Sequence, residues 1–410
     1  MEKVLASIIT IGDELLIGQT IDTNSAWIAQ RLNAMGIWVH RRVAVGDQRD
    51  AIWKALDDEC AVSPIVLVTG GLGPTADDIT KPLLADYFGG KLVMDERVLE
   101  HVQYLFEKIF RRPGPLLERN RKQAEVPDVC TVLFNRIGTA PGMWFERNGI
   151  VVVSMPGVPT EMKGLMTDEV LPRLQQRFKT PSITHRTVFT IGAGESMIAE
   201  RLKEFEAGLP DTVRLAYLPH FGTVRLRLTE TGEGRDIDGL FATLCTLVQD
   251  ITVVTEDLGM EAYIGRLLLD KGKTVATAES CTGGMLAEQL TSIPGSSRYF
   301  LGSIVSYATP VKESLLAVDA SRGVVNEAVV KQMVRGVLAQ IPADYAIATS
   351  GIMGPEGGTE ETPVGTVWVA VGNKALVNAK VFHFRYDRGL NTQLATLNAL
   401  NLLRLFILEN

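Results

Sequence analysis

An α/β chain is predicted, with two α/β domains whose sheets are rich in parallel strands, joined by a small α+β domain. Three observations predict it. Mainly apolar runs such as Ile65–Thr69 and Val151–Met155 read as strands buried on both faces. Segments with helical spacing alternate with those runs in a βαβαβ order, which implies a parallel sheet covered by helices. After Lys179 the strands become more polar, and the α/β alternation resumes near residue 256. With 410 residues the chain also exceeds what one core ordinarily holds.

Residues 1–175 form the first expected domain. Val4–Ile11 is its first strand, and Asp22–Met35 its first helix, with Trp27, Ile28, Leu32 and Met35 on one face and Gly36 closing it. Strand Val39–Val45, helix Asp50–Cys60 and strand Ile65–Thr69 follow, then strand Val151–Met155, a Pro-Gly-Val-Pro turn and a helix from Thr160. Residues 176–255 form the small domain: strands Arg186–Thr190, Thr212–Tyr217 and Val224–Thr229, helix Ser196–Phe205, and Val248–Val254 as a last strand or helix end. Glu256–Gly259 reads as a linker. Residues 256–410 then give helix Met260–Asp270, strand Lys273–Ala278, a helix through Met285–Leu290, strand Gly302–Tyr307 and helix Asn326–Gln340. Strands Asp344–Thr349, Gly365–Val371 and Ala379–Phe384 and helix Thr392–Leu408 complete it.

With 46% hydrophobic and 22% charged residues, the composition is that of a soluble globular protein. A formal charge of −7, with no basic block or aromatic-basic interleaving, argues against a nucleic-acid partner. Cys60, Cys130, Cys245 and Cys281 show no C-x-x-C spacing, which disfavours a disulfide framework or structural zinc and points to a reducing compartment. The five histidines show no ligand spacing. The first apolar run is too short for a signal segment and no apolar stretch is long enough to span a bilayer, so a cytoplasmic location without a membrane partner is expected.

Chemistry-bearing residues gather at strand ends. Thr69-Gly70-Gly71-Leu72-Gly73-Pro74-Thr75-Ala76-Asp77-Asp78-Ile79-Thr80 follows a strand. Its glycines let backbone N–H groups approach phosphate oxygens, Thr75 adds a hydroxyl, and Asp77 and Asp78 suit a hard divalent cation. The competing reading is a helix start capped by Thr75. Gly12-Asp13-Glu14, with Asn24 behind it, follows the first strand, and Pro156-Gly157-Val158-Pro159-Thr160-Glu161-Met162 follows another. In a parallel sheet these turns share the carboxyl edge, where ligands bind. Ala278-Glu279-Ser280-Cys281-Thr282-Gly283-Gly284 joins a strand to a helix, where a hydroxyl would meet unpaired helix N–H groups. Ser280 is the first candidate for chemistry there. Alternatively it caps the helix, and Cys281 is the alternative nucleophile.

The three strand-end turns of the first domain resemble the molybdopterin-binding-like domain of the CinA family of competence/damage-inducible proteins. The Ser280 motif resembles that family's C-terminal amidohydrolase domain. So do Ser306-Tyr307-x-x-x-x-Lys312, Ser350-Gly351-Ile352-x-Gly354-Pro355-x-Gly357-Gly358, Pro363-Val364-Gly365-Thr366-Val367 and Phe384-Arg385-x-Asp387-Arg388. The resemblance implies a bifunctional hydrolase of pyridine-nucleotide salvage, working as a homodimer. Its front domain would split ADP-ribose to AMP and ribose 5-phosphate with a divalent metal cation, or else, without catalysis, bind a pterin or nucleotide or serve in dimerisation. Asp13, Asp77 and Asp78 would be metal- or phosphate-side residues, and Asn24, Gly70, Gly71, Gly73, Thr75 and Gly157 would hold substrate. Its last domain would deamidate nicotinamide mononucleotide (NMN) without a cofactor. Ser280 would be the nucleophile, Lys312 the proton acceptor and Tyr307 a relay, with N–H groups from Cys281 to Gly284 as oxyanion donors. Thr282, Gly283, Ser350 and Arg388 would hold substrate, Arg388 at the phosphate. Competing readings make Lys312 an exposed lysine before a helix at Glu313–Ala317, Tyr307 a packing residue, and Arg388 a partner of Asp387 or Glu409. The family pattern is altered at Ala308-Thr309-Pro310-Val311, at Met353, and at Asn391 and Thr392.

Overall fold

The computed structural model describes residues 3–75, 77–112, 114–180, 183–232 and 237–410. Contacts divide the chain after Thr184: one compact unit lies before it, and His185–Thr229 joins the C-terminal half in the other.

In the first unit, β1 (Val4–Ile11), α1 (Asp13–Leu16), α2 (Thr23–Ala34), β2 (Ile37–Val45), α3 (Arg49–Cys60), β3 (Ile65–Thr69) and α4 (Thr80–Phe88) follow in order. Next come β4 (Leu92–Met94), α5 (Glu96–Tyr104), α6 (Glu118–Arg121), β5 (Glu125–Pro127), β6 (Thr131–Leu133), β7 (Gly142–Arg147) and β8 (Ile150–Met155). Helices α7 (Pro159–Leu165) and α8 (Leu171–Arg177) complete the unit. Its main sheet has the order β2-β1-β3-β8-β7-β6. The first four strands are parallel, and β7 and β6 add an antiparallel edge. Alternation along the strands splits the core. Ala6, Ile8, Ile65, Leu67, Val151 and Val153 face α2, α7 and α8. Ile9, Ile11, Val66, Val68 and Val152 face α3 and α4.

The second unit begins with the small domain. It consists of β9 (Ile183–Ile191), α9 (Glu195–Ala207), β10 (Val213–His220), β11 (Thr223–Thr231), α10 (Ile237–Leu247) and β12 (Thr252–Val254), with sheet order β10-β11-β9-β12. The stretch read as Val248–Val254 yields only a three-residue strand after a helical turn at Gln249–Ile251. The rest of the unit holds α11 (Met260–Asp270), β13 (Val275–Glu279), α12 (Met285–Thr291), β14 (Phe300–Val305), α13 (Thr309–Leu316) and α14 (Glu327–Gln340). It ends with β15 (Tyr345–Gly351), β16 (Thr366–Gly372), β17 (Val377–His383) and α15 (Arg388–Glu409).

This last sheet runs β14-β13-β15-β16-β17, parallel across the first three strands and antiparallel beyond them. One face presents Val275, Ile347, Val367, Val369 and Val371 to α11, α12 and α15. The other presents Ala276, Ala278, Ala346, Ala348 and Ala370 to α13 and α14. The alanine face lets α14 lie close, and α14 in turn is pressed by α13: a Cβ on Gly336 would stand 2.2 Å from the Leu316 carbonyl oxygen. Replacing a mid-helix glycine by alanine ordinarily stabilises by about 1 kcal/mol. Here Gly336→Ala is expected to destabilise by about 1–3 kcal/mol through overpacking. Urea unfolding of the full chain reads the sign, and a rise in the midpoint contradicts this packing.

Candidate active sites

In the first unit the three turns meet at the carboxyl edge. Gly70 donates its N–H to Met155 O at 3.1 Å, joining the ends of β3 and β8. A Cβ on Gly70 would lie 2.2 Å from Ile11 O, and one on Gly71 would lie 2.1 Å from Thr80 Oγ1; both residues have positive φ. Gly157 O accepts from Asn24 Nδ2 at 2.7 Å, and Thr69 Oγ1 donates to Pro156 O. Around Thr10, Glu14, Asn24, Thr69 and Gly157 lies a cavity of about 130 Å³. Asn24 Oδ1 and Thr80 Oγ1 are buried there or beside the glycine turn, with no hydrogen-bond partner among the described residues. Ligand pockets usually measure about 300–1,000 Å³, so this cavity is the size of a subsite for one polar group.

The acidic residues are arranged differently from expectation. Asp78 accepts from the N–H and the hydroxyl of Thr75, and it fills the space a Gly73 side chain would take. Thr75 does not cap α4, which begins at Thr80. Asp13 instead faces Asp47: its N–H donates to Asp47 Oδ2 at 3.1 Å, and its Oδ1 accepts from the Asp47 N–H at 3.3 Å. Burial pushes the Asp47 carboxyl above the usual range. The Asp13 N–H works against that rise, while Asp13, Glu14 and Asp77 add repulsion. The sequence reading passed over Asp47, although Gly46-Asp47 ends β2 at the same parallel edge. Asp13 and Asp77 thus both bear on Asp47, while Asp78 is turned back onto Thr75. Among the described residues no three His, Cys, Asp or Glu side chains group as ligands, so the metal the resemblance implies finds no preformed seat.

In the last domain the helix-start expectation for Ser280 is corrected. Helix α12 begins at Met285, and no described residue hydrogen-bonds Ser280 Oγ, so Ser280 is not its cap. The N–H groups of α12 are taken by Glu279, which is fully buried. Its carboxylate accepts from Gly284 N at 3.0 Å, Leu286 N at 3.1 Å and Ala287 N at 2.9 Å, and from the hydroxyls of Thr277 and Thr282. Gly283 N is spent on Ser280 O. Of the four expected oxyanion donors, the N–H groups of Cys281 and Thr282 have no acceptor among the described residues. The Thr282 hydroxyl, expected to hold substrate, is committed to Glu279 and Thr349. Burial pushes the Cys281 thiol up to about 12, which disfavours the thiolate an attacking cysteine needs. Gly283 faces open space.

Lys312 is not an exposed lysine before a helix but lies within α13, 1% exposed. Its Nζ donates to Ser306 O at 2.7 Å and Tyr307 O at 3.1 Å. Burial holds its pKa below the ordinary value. The fully buried Ser306 hydroxyl beside it has no partner. Tyr307 is exposed rather than packed, and its hydroxyl accepts from Arg388 Nη2 at 2.7 Å, while Arg388 Nη1 donates to Gly354 O. Arg388 thus pairs with Tyr307, not with Asp387 or Glu409. Ser350 is buried and donates to Val324 O, so its hydroxyl ties down a neighbouring loop. Asn391, noted only as a departure from the family pattern, is fully buried and donates to Met353 O and Tyr386 O.

Glu279→Gln is expected to cost about 2–4 kcal/mol, because one amide oxygen replaces two acceptors and the added NH₂ faces N–H groups. Thermal unfolding of the full chain measures it. An unchanged midpoint contradicts the carboxylate's role at the start of α12.

Three family models match in succession: a probable molybdopterin binding domain over residues 7–176, the KH domain of damage-inducible protein CinA over 185–251, and the CinA C-terminal domain over 257–407. A CinA-like protein of Cytophaga hutchinsonii is 44% identical over 98% of this chain and 97% of its own. Another, from Flavobacterium psychrophilum, is 42% identical over 99% of each. Among solved structures, the protein CinA of Thermoplasma acidophilum, described as of unknown function, is 35% identical, with a TM-score of 0.38 over 42% of this chain and 99% of its own. With all three models matching in order and relatives aligned end to end, the chain belongs to the CinA family.

Proposed function

We propose that the last domain is a nicotinamide-nucleotide amidase that converts NMN to nicotinic acid mononucleotide and ammonia. The observation that carries this reading is Lys312: a buried amine whose pKa burial lowers, held by the carbonyls of Ser306 and Tyr307. A neutral amine has two N–H donors and one lone pair. The two carbonyls use the donors, and the lone pair remains to accept a proton. Ser280 Oγ attacks the carboxamide carbon as its proton passes to Lys312. The oxyanion takes the N–H groups of Cys281 and Thr282. Collapse breaks the C–N bond, and Lys312 returns the proton to the departing nitrogen as ammonia. Water then attacks the acyl ester, again deprotonated by Lys312, and Ser280 recovers its proton. Arg388 binds the nucleotide phosphate, with Tyr307 orienting its guanidinium from the side.

For the first domain we propose hydrolysis of ADP-ribose to AMP and ribose 5-phosphate. Support comes from the glycine turn and from the unpartnered Asn24 Oδ1 and Thr80 Oγ1 beside the subsite. The lack of a grouped ligand trio among the described residues favours the second reading, a domain that binds a pterin or nucleotide without catalysis. Assays for AMP with and without added divalent cation separate the two, since a binding module retains ADP-ribose and forms no AMP. Small molecules rather than nucleic acid suit the middle domain too. KH domains clamp nucleic-acid backbones with a G-x-x-G loop, and residues 185–251 contain no such tetrapeptide.

Ser280→Ala is expected to lower ammonia release from NMN by on the order of a thousandfold or more while leaving ADP-ribose chemistry unchanged; deamidation at the parent rate removes Ser280 as nucleophile. Because Lys312 must be neutral to accept a proton, kcat/KM for NMN rises with pH through its lowered pKa and levels off above it. Lys312→Arg stays protonated and is inactive at every pH. A flat profile in the parent, or an active arginine variant, overturns the assignment.

A further inference from the structure

Among the described residues, two of the places where the small domain meets the last domain involve α15. Strands β9 and β12 place Phe189, Ile191, Val253 and Val254 in one core with α11 and α15. The second place is the tip of the β10–β11 hairpin. The Phe221 ring meets Tyr386 edge-on, with centroids 6.4 Å apart at 70°. Gly222 lies so close to α15 that a Cβ there would stand 3.0 Å from Leu394 and 3.3 Å from Leu397. Phe189, Arg225, Phe221, Met285 and Leu394 line a cavity of about 640 Å³ at this junction. Phe221 and Tyr386 remain 48% and 55% exposed. The tip is a strut beside a void, not filling in a core.

The strut bears on the segment that carries Arg388. Tyr386 N donates to Asn391 Oδ1 at 3.1 Å, and Tyr386 O accepts from Asn391 Nδ2 at 2.8 Å. The same amide holds Met353 O at 3.0 Å, next to Gly354, whose carbonyl Arg388 engages. A brace on Tyr386 and the early turns of α15 therefore restrains the Tyr386–Asn391 corner from which the guanidinium projects. We propose that Phe221 and Gly222 of the small domain are positioning residues for Arg388. They preorganise it toward the phosphate of a mononucleotide substrate, so the small domain tunes substrate affinity in the last domain. The proposal rests on the reading of that domain as a nucleotide amidase. Preorganisation of a binding group lowers the ordering cost paid on association, and it acts on KM without touching the nucleophile or its base.

The test is Phe221→Ala in the full chain, with Phe221→Tyr as the conservative control, read in two ways. For NMN deamidation, the alanine variant is expected to raise KM about three- to tenfold with kcat within about twofold, and tyrosine to restore the parent KM. Amide exchange over residues 386–391 is expected to quicken about threefold or more in the alanine variant only. Unchanged KM together with unchanged exchange overturns the strut, as does a fall in kcat at constant KM. If the parent chain releases no ammonia from NMN, the amidase reading fails by itself. Exchange then decides the strut alone: faster exchange supports it and equal exchange overturns it.

Discussion

Between β13 and α12 the backbone turns from strand to helix within five residues, and the first N–H groups of the helix have no partner in a preceding turn. An unpaired buried N–H costs about 1–3 kcal/mol. Glu279 resolves this by placing one carboxylate beneath the turn, where it accepts three backbone N–H groups and two threonine hydroxyls. The turn is then fixed from below. Thr282 extends the network to Thr349 on β15, and Ser280 N reaches Thr349 O, so the turn is also pinned to the neighbouring strand. Ser280 stands on this platform with its own hydroxyl uncommitted. A serine that had to cap the helix itself would have a lone pair of its hydroxyl committed to a backbone N–H.

That constraint also bears on which atom attacks. Cys281 is buried, and that burial is the main cause that pushes its thiol up to about 12, against the hydrogen bond from Thr349 and the charge of Lys312. An alcohol needs no standing negative charge in the ground state if a neutral base receives its proton during attack. Desolvation acts on Lys312 in the opposite sense, favouring its neutral form. One dry environment therefore disables the thiolate route and favours the serine–lysine pair of the proposed mechanism.

Elements that bury a whole strand or one clear helix face were legible in the sequence: Ile65–Thr69 and Met260–Asp270 appear with the bounds read from their apolar patterns. Between α4 and β8 almost nothing was legible. The strands there are mostly three residues long and pair through tertiary context, as β4 does with β5, so neither period nor length marks them. At the sites, strand-end logic located the turns, but it was applied to three strands and missed Gly46-Asp47 at the end of a fourth. Glu279 was quoted within the strand-to-helix join but given no role there. Only the three-dimensional path of α12 reveals the donors it serves. The commitments of Asp78, Ser350 and Thr282 are likewise tertiary facts, since a side chain's residue type does not say which donor or acceptor reaches it first.

The two crevices differ in how much is already satisfied. In the last domain Glu279, Thr282 and Thr349 are bonded to one another and to the turn, while among the described residues the Ser280 and Ser306 hydroxyls and the N–H groups of Cys281 and Thr282 are left open. Such a site is rigid before substrate arrives, which suits chemistry requiring a nucleophile, a base and two oxyanion donors in register. In the first domain Asn24 Oδ1 and Thr80 Oγ1 lack partners, and the carboxylates Asp13, Glu14 and Asp77 crowd Asp47. A ligand bringing donors to those oxygens would offset a desolvation cost the empty fold already bears. Under the proposed functions, the first site would draw affinity from oxygens that the fold leaves without partners, and the last site would react through a few open groups held on a frame that is already hydrogen-bonded.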